Sequence, residues 1–220
     1  MRRIFQNSIA LMVVVIVLFL VIPLPEAILD ILIITNISLS IVILMVTMTI
    51  SDALEFSIFP SLLLITTLFR LGLNVSTTRA ILRFEGNTGA PGTAVIQTFG
   101  NLITQGNIVL GIIIFCIIVL MQFIVITKGA ERVAEVAARF TLDAMPGKQM
   151  AIDADLSSGL IDEQQARARR EKIQKEADFY GAMDGATKIV KGDSTMSIVI
   201  TIINLVGGII IGVVVNGGDI

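Results

Sequence analysis

The sequence predicts an all-α fold, a polytopic helical membrane protein with a small helical module set between its spans, and three observations predict it. Of the 220 residues, 55% are apolar and only 15% charged, against roughly a quarter charged in soluble chains. The mean hydropathy is +0.89. The charge is gathered in one place: residues 128–193 hold eleven of the sixteen Lys and Arg and twelve of the eighteen Asp and Glu. Outside that block run apolar stretches near the roughly 20 residues that a helix needs to cross about 30 Å of hydrocarbon. Signs mix to −1 within the block and no basic patch lies outside it, so nucleic acid is not an expected partner.

The organisation follows in chain order: a transmembrane region over 1–127 with spans near 8–23, 27–50 and 107–127 and an irregular stretch at 53–101; a charged loop over 128–193; and a further span over 194–215. The first run, Ser8 to Pro23, follows Arg2 and Arg3. Its exit through Pro23-Leu24-Pro25-Glu26-Ala27 lacks the small residues of a cleavage site, so an uncleaved span with a cytoplasmic start is expected. In the second run Asp30 is expected to snorkel, and Thr35, Asn36, Ser38 and Ser40 to serve as hydrogen-bonding glue between helices, with a polar pathway as the alternative. The third clear run ends at Lys128. The last, from Met196, carries Gly207, Gly208 and Gly212, small residues that let helices approach.

Residues 51–101 give no clean span, because Glu55, Pro60, Arg70, Arg79 and Arg83 interrupt the apolar stretch. Parity nevertheless requires one more crossing there if the chain start and the charged block are both cytoplasmic. That crossing would carry arginines outward, against the positive-inside rule. These arginines are therefore expected to face protein, headgroups or a water-filled path. Glu85 to Gly92 reads as a turn-rich loop.

In the charged block, Val133, Val136, Ala137 and Phe140 recur at helical spacing. Met145-Pro146-Gly147 and Ser157-Ser158-Gly159 are breakers that predict a structured loop over Asp143 to Gly159. Asp162 and Gln165 resemble a capping box opening a charged helix to about Tyr180. Arg167, Arg169, Arg170, Lys172 and Lys175, interleaved with acids, read as a solvated face, with a partner-docking face as the alternative.

The chain has no histidine and a single cysteine, Cys116, which removes Ser-His and Cys-His catalysis, His-based zinc sites and an intrachain disulfide. Gly147-Lys148 fails as a phosphate loop because Leu142 and Gln149 stand where Gly and Ser or Thr are required. Asp153, Asp155 and Ser157 fail as a calcium loop because Ser158 and Gln164 replace the Gly and Glu. No enzyme activity, cofactor or metal is expected.

The stretch Glu131-Arg132-Val133-Ala134-Glu135-Val136-Ala137-Ala138-Arg139-Phe140-Thr141-Leu142-Asp143-Ala144-Met145-Pro146-Gly147-Lys148, continuing to Asp155, resembles the signature of the FHIPEP family, the export-gate membrane component of flagellar and injectisome type III secretion. Gly181 to Asp193 resembles the end of the same loop, with Ile189 where the family has Phe, and Arg70 to Arg79 is also similar to it. The resemblance implies a cytoplasmic-membrane subunit that couples an ion gradient to export of unfolded proteins. It implies a homo-oligomeric ring, a nonamer, in contact with membrane lipid and other export-gate membrane proteins. Family members continue into further spans and a large cytoplasmic domain that receives the export ATPase complex and substrates, so this chain is expected to be the front part of such a protein.

Carried over by motif position, the ion-coupling or export candidates are Arg79, Arg132, Arg139, Asp143, Asp184, Lys188 and Asp193, with Lys148, Asp153 and Asp155 secondary. Lys188 and Asp193 are expected to form a coupling pair. The alternative role for all of them is to hold the loop fold and the contacts between ring neighbours. A plain ion channel or transporter subunit is the competing function, suited by broken helices at 51–101.

Overall fold

The computed structural model describes residues 14–18, 21–83 and 93–214. Parts of the first apolar run, the turn-rich segment at 84–92 and the chain end lie outside the described residues. Most of the described residues are helical, with no strand among them. After a helical fragment at 14–18, α1 spans Glu26–Thr49, a 3-10 turn spans Ala53–Phe56, and α2 spans Phe59–Leu82. The short α3, Ala94–Thr104, turns into α4, Ile108–Met121, which continues through π-helical turns at Gln122–Ala130 into α5, Glu131–Asp143. Next come α6, Met145–Ser157, and α7, Glu163–Val214. Among the described residues four helices are long and apolar enough to cross a membrane: α1, α2, Ile108–Val125, and α7.

Local chemistry sets these boundaries. Pro25 precedes the first turn of α1. Asn107 Oδ1 accepts the Val109 and Leu110 amides at the start of α4. The predicted capping box forms reciprocally: Gln165 N donates to Asp162 Oδ1 at 2.7 Å, and Asp162 N donates to Gln165 Oε1 at 3.2 Å.

Three expectations are corrected. The segment read as irregular contains the uninterrupted 24-residue α2. Pro60 falls in its first turn, where a missing N–H breaks no helical bond. Thr66, Thr67, Thr77 and Thr78 donate their hydroxyls to carbonyls four residues back, which removes the cost of polar groups in apolar surroundings. The stretch read as a loop between Asp143 and Gly159 is mostly α6, for the same reason: Pro146 lies in the first turn, and the chain breaks only at Gly159, whose φ is +73°. Finally, α7 does not stop near Tyr180. It runs as one 52-residue helix from the charged module into the last apolar run, about 78 Å at 1.5 Å per residue.

The packing gives the molecule two ends. At one end, Arg79 Nη1 donates to the Val21 carbonyl at 3.0 Å, Asp30 Oδ1 accepts the Val95 amide at 3.1 Å, and Leu82 lies against Gly207. Asp30, expected to snorkel, holds the N-terminal turn of α3 against α1. At the other end, Lys172 reaches Asp52, between α1 and α2, at 3.3 Å, and the charged module gathers. Near the first end Ile16, Leu29, Phe69 and Leu73 form one apolar cluster; in the module Met145, Ile152, Ile161, Ala166 and Ile173 join α6 to α7 in a second. Elsewhere α1, α4 and the far half of α7 expose their apolar side chains, among them Ile31, Met45, Ile112, Leu120, Ile202 and Ile209, as lipid-facing helices do. Thr35 and Ser40 bond carbonyls of their own helix rather than a neighbouring one.

Candidate functional site

The most buried charge among the described ion pairs lies where α2 meets α7. Asp193 exposes 3% of its side chain and Arg70 41%. Arg70 donates from both Nε, at 2.8 Å, and Nη2 to the same oxygen, Asp193 Oδ2. One turn further along each helix, Asn74 Nδ2 donates to Ser197 Oγ at 3.0 Å. Both pairs are separated by 123 residues, which fixes the helices as parallel neighbours in one register. Above the ion pair a cavity of 270 Å³ is lined by Arg70, Asn74, Thr77, Gln122, Ser197 and Thr201, with Ile200 and Asn204. Asp193 Oδ1 and Asn204 Oδ1 are buried without a hydrogen-bond partner among the described residues. Of the two, Asn204 lines the cavity, and Asp193 adjoins it through Arg70; an orphaned acceptor beside a polar cavity is the arrangement that ordered water satisfies. Burying the Asp193 carboxylate carries a desolvation cost that its partner must offset, so the pair is the candidate functional site of the helical bundle.

The second cluster surrounds the junction of α4, α5 and α7. Lys191 Nζ lies 2.6 Å from Glu131 Oε2, and Lys188 Nζ 2.8 Å from Asp184 Oδ2, four residues back on the same helix. Hydrogen bonding to Asp184, then the charges of Asp184, Glu135 and Glu131, push the Lys188 amine above its ordinary value. Lys128, Glu131, Arg132, Glu135, Val136, Arg139 and Lys191 line a cavity of 620 Å³.

Residues 16–220 match the FHIPEP family. That match covers most of the chain, and the chain belongs to the FHIPEP family. The chain is 60% identical to flagellar biosynthesis protein FlhA of Bacillus subtilis over 97% of its length and 31% of that protein's. It is 53% identical to FlhA of Escherichia coli K12, over 94% of the chain and 30% of the relative. Low calcium response locus protein D of Yersinia pestis is 51% identical, over 94% and 29% respectively. The chain thus spans about three tenths of the length of the curated relatives it matches. No solved structure matches it.

Within this FHIPEP chain the sequence-predicted residues fall into separate settings. Asp193 is the buried member of the membrane ion pair, but its partner is Arg70, not Lys188, which pairs with Asp184. Arg79 lies one helix end away, on the Val21 carbonyl. Arg139 and Asp143 form a loose, exposed pair at 3.6 Å, and Arg132 is exposed at the 620 Å³ cavity. Lys148 lies 2.8 Å from Glu176, Asp155 3.0 Å from Arg169, and Asp153 2.5 Å from Arg170; these three pairs hold α6 along α7. The basic run read as a solvated face therefore splits. Arg167 and Lys175 pair within their own helix, whereas Arg169, Arg170 and Lys172 reach other segments of this chain.

Sequence reasoning missed Arg70, Asn74 and Ser197 as partners. The available signal was the spacing, since Arg70 and Asn74, and Asp193 and Ser197, each stand four apart and share one helix face. Among the described residues no group of three or more His, Cys, Asp or Glu is placed to hold a metal.

Proposed function

We propose that the chain supplies membrane helices and the charged cytoplasmic module of a subunit in the flagellar or type III protein-export gate. In this reading it is not an enzyme. It couples an ion gradient to passage of unfolded protein across the bacterial cytoplasmic membrane. The chain start and residues 128–193 face the cytoplasm, as the gathering of eleven of the sixteen basic residues in that block favours. The membrane region 1–127, the loop 128–193 and the span 194–215 act together in a homo-oligomeric ring, a nonamer, beside other gate proteins. The export ATPase complex and substrates are partners of the longer protein.

The observation that carries the proposal is the Asp193–Arg70 pair below a polar cavity. An ion or proton arriving at Asp193 weakens its hold on Arg70, because the attraction depends on the full carboxylate charge. Arg70 then has to find water or another acceptor, and the α2–α7 contact changes. Since α7 continues without a break into the charged module, a tilt or rotation at Asp193 moves the hairpin of α6 and α7. Arg132, Arg139, Asp143, Asp184 and Lys188 lie at the joint through which that movement passes, and Arg79 anchors α2 at the far end.

The test is a charge exchange in the full-length protein. Asp193→Arg and Arg70→Asp singly abolish secretion of export substrates into the medium, and the two together partly restore it. Normal secretion by both single variants sinks the coupling role. The competing reading, an ion channel or transporter subunit, draws support from the same cavity. Ion flux through liposomes holding the full-length protein alone, abolished by Asp193→Asn while secretion persists, would favour it.

A further inference from the structure

The 620 Å³ cavity at the α4–α5–α7 junction lies apart from the Asp193 seam and carries an excess of positive charge. Four cations, Lys128, Arg132, Arg139 and Lys191, meet two carboxylates, Glu131 and Glu135. Glu131 is held by Lys191. Lys128 and Arg132 have no carboxylate within 4.0 Å among the described residues, and the Lys128 ammonium rests 5.1 Å from the Phe123 ring centre. The helix adopts π geometry at Gln122–Ala130, a widened turn that recurs at functional sites and carries Lys128 on the wall of the cavity.

Position decides what this cavity suits. The apolar run of α4 ends at Lys128, and that of α7 begins just past Lys191. The cavity is therefore at the depth where hydrocarbon gives way to headgroups. On the membrane side of it, Phe123, Ile124 and Val125 of the π-helical turns and Met196 and Val199 of α7 expose their side chains. An anion alone gains nothing from that surface. An amphiphile with a phosphate head and two acyl tails satisfies both parts.

We propose that this cavity binds the phosphate headgroup of an anionic phospholipid of the cytoplasmic leaflet, with Lys128 and Arg132 as its principal contacts. The proposal goes beyond the export reading and does not depend on ion coupling; it rests on that reading only in placing residues 128–193 at the cytoplasmic face, with α4 and α7 crossing the bilayer.

The full chain in neutral detergent, titrated with phosphatidylglycerol, phosphatidylcholine or inorganic phosphate and read by native mass spectrometry, tests it. The wild type binds phosphatidylglycerol in preference to phosphatidylcholine, and millimolar phosphate does not displace it. Each juxtamembrane cation contributes roughly a fivefold factor in affinity, so Arg132→Gln weakens binding about fivefold and Lys128→Gln with Arg132→Gln about thirtyfold. Arg132→Lys keeps it. Arg167→Gln with Lys175→Gln, an equal charge change on exposed α7 positions, leaves it unchanged, and far-UV circular dichroism verifies that each variant keeps its helices. Equal binding by wild type and both Gln variants overturns the proposal, as does displacement by phosphate or equal retention of phosphatidylcholine. Retained lipid with lost self-association in the double variant also overturns it, and assigns the cations to a neighbouring copy.

Discussion

The two halves of the Arg70–Asp193 pair do not cost the same to remove. With Arg70→Ala the carboxylate of Asp193, 3% exposed, is left without its counter-ion and with neither oxygen bonded among the described residues. Breaking a buried pair in this way costs about 3–5 kcal/mol. With Asp193→Ala the orphan is Arg70, which is 41% exposed and reaches water or a headgroup by rotating its long side chain. That loss is limited to the charge-assisted hydrogen bonds, about 1.5–3 kcal/mol. Arg70→Met with Asp193→Leu removes both charges, so it costs less than Arg70→Ala alone. The assay is denaturant-induced loss of helicity of the full chain in detergent, with the wild type, Arg70→Ala, Asp193→Ala and the double variant Arg70→Ala/Asp193→Ala closed into a double-mutant cycle and Arg70→Met/Asp193→Leu measured beside it. Equal losses for the two single changes, or an additive double variant, would refute the reasoning, because they would mean that Asp193 already has another partner or that the helices are not in this register.

Three further outcomes follow from the geometry. A Cβ on Gly207 would approach Leu82 Cδ2 to 3.3 Å, whereas one on Gly208 meets nothing within 4 Å; Gly207→Val therefore destabilises the chain by about 1–3 kcal/mol and Gly208→Val by less, in the same denaturation assay. Asn74→Leu with Ser197→Ala shows a coupling energy near 0.6 kcal/mol, the average for hydrogen bonds between membrane helices, and a coupling of zero would place the two side chains apart. The stabilisation from the Lys188–Asp184 pair is present below the ordinary lysine value of 10.5 and is lost as pH rises through the higher folded value; following the Lys188 ammonium by NMR shows titration above 10.5, and Asp184→Asn brings it back toward that value.

What was legible in the sequence was whatever depends on local pattern. The all-helical membrane class, α1, the α4 run with its Asn107 start, and the Asp162–Gln165 box are all set by residues within a few positions of one another. Prolines and glycines misled where position within an element mattered more than identity. Pro60 and Pro146 sit in first turns, and Gly181, Gly185 and Gly192 ride inside α7, where roughly 1 kcal/mol each is outweighed by packing along α2 and α5. The partner of Asp193 was illegible for a different reason. Asp193 has an adequate basic neighbour in the sequence, Lys188, but five positions along a helix turns a side chain to another face. The real partner is 123 residues away, and no local rule reports it.

The distribution of burial separates two kinds of electrostatics in this chain. The pairs that line α6 and α7, Lys148–Glu176, Asp155–Arg169 and Asp153–Arg170, are largely solvent-exposed, and exposed pairs contribute about 0–1 kcal/mol each. The hairpin is held mainly by Met145, Ile152, Ile161, Ala166 and Ile173, so its packing depends little on salt or protonation. Asp193 is the opposite case, buried, singly paired and next to a polar cavity, where a single charge change alters the balance by several kcal/mol. On the proposed reading, a packed hairpin and a charge-sensitive contact on one continuous helix make the seam the place where a membrane event is read and the hairpin the part that carries it. A break in α7 between Asp193 and Tyr180 would uncouple the two while leaving each intact.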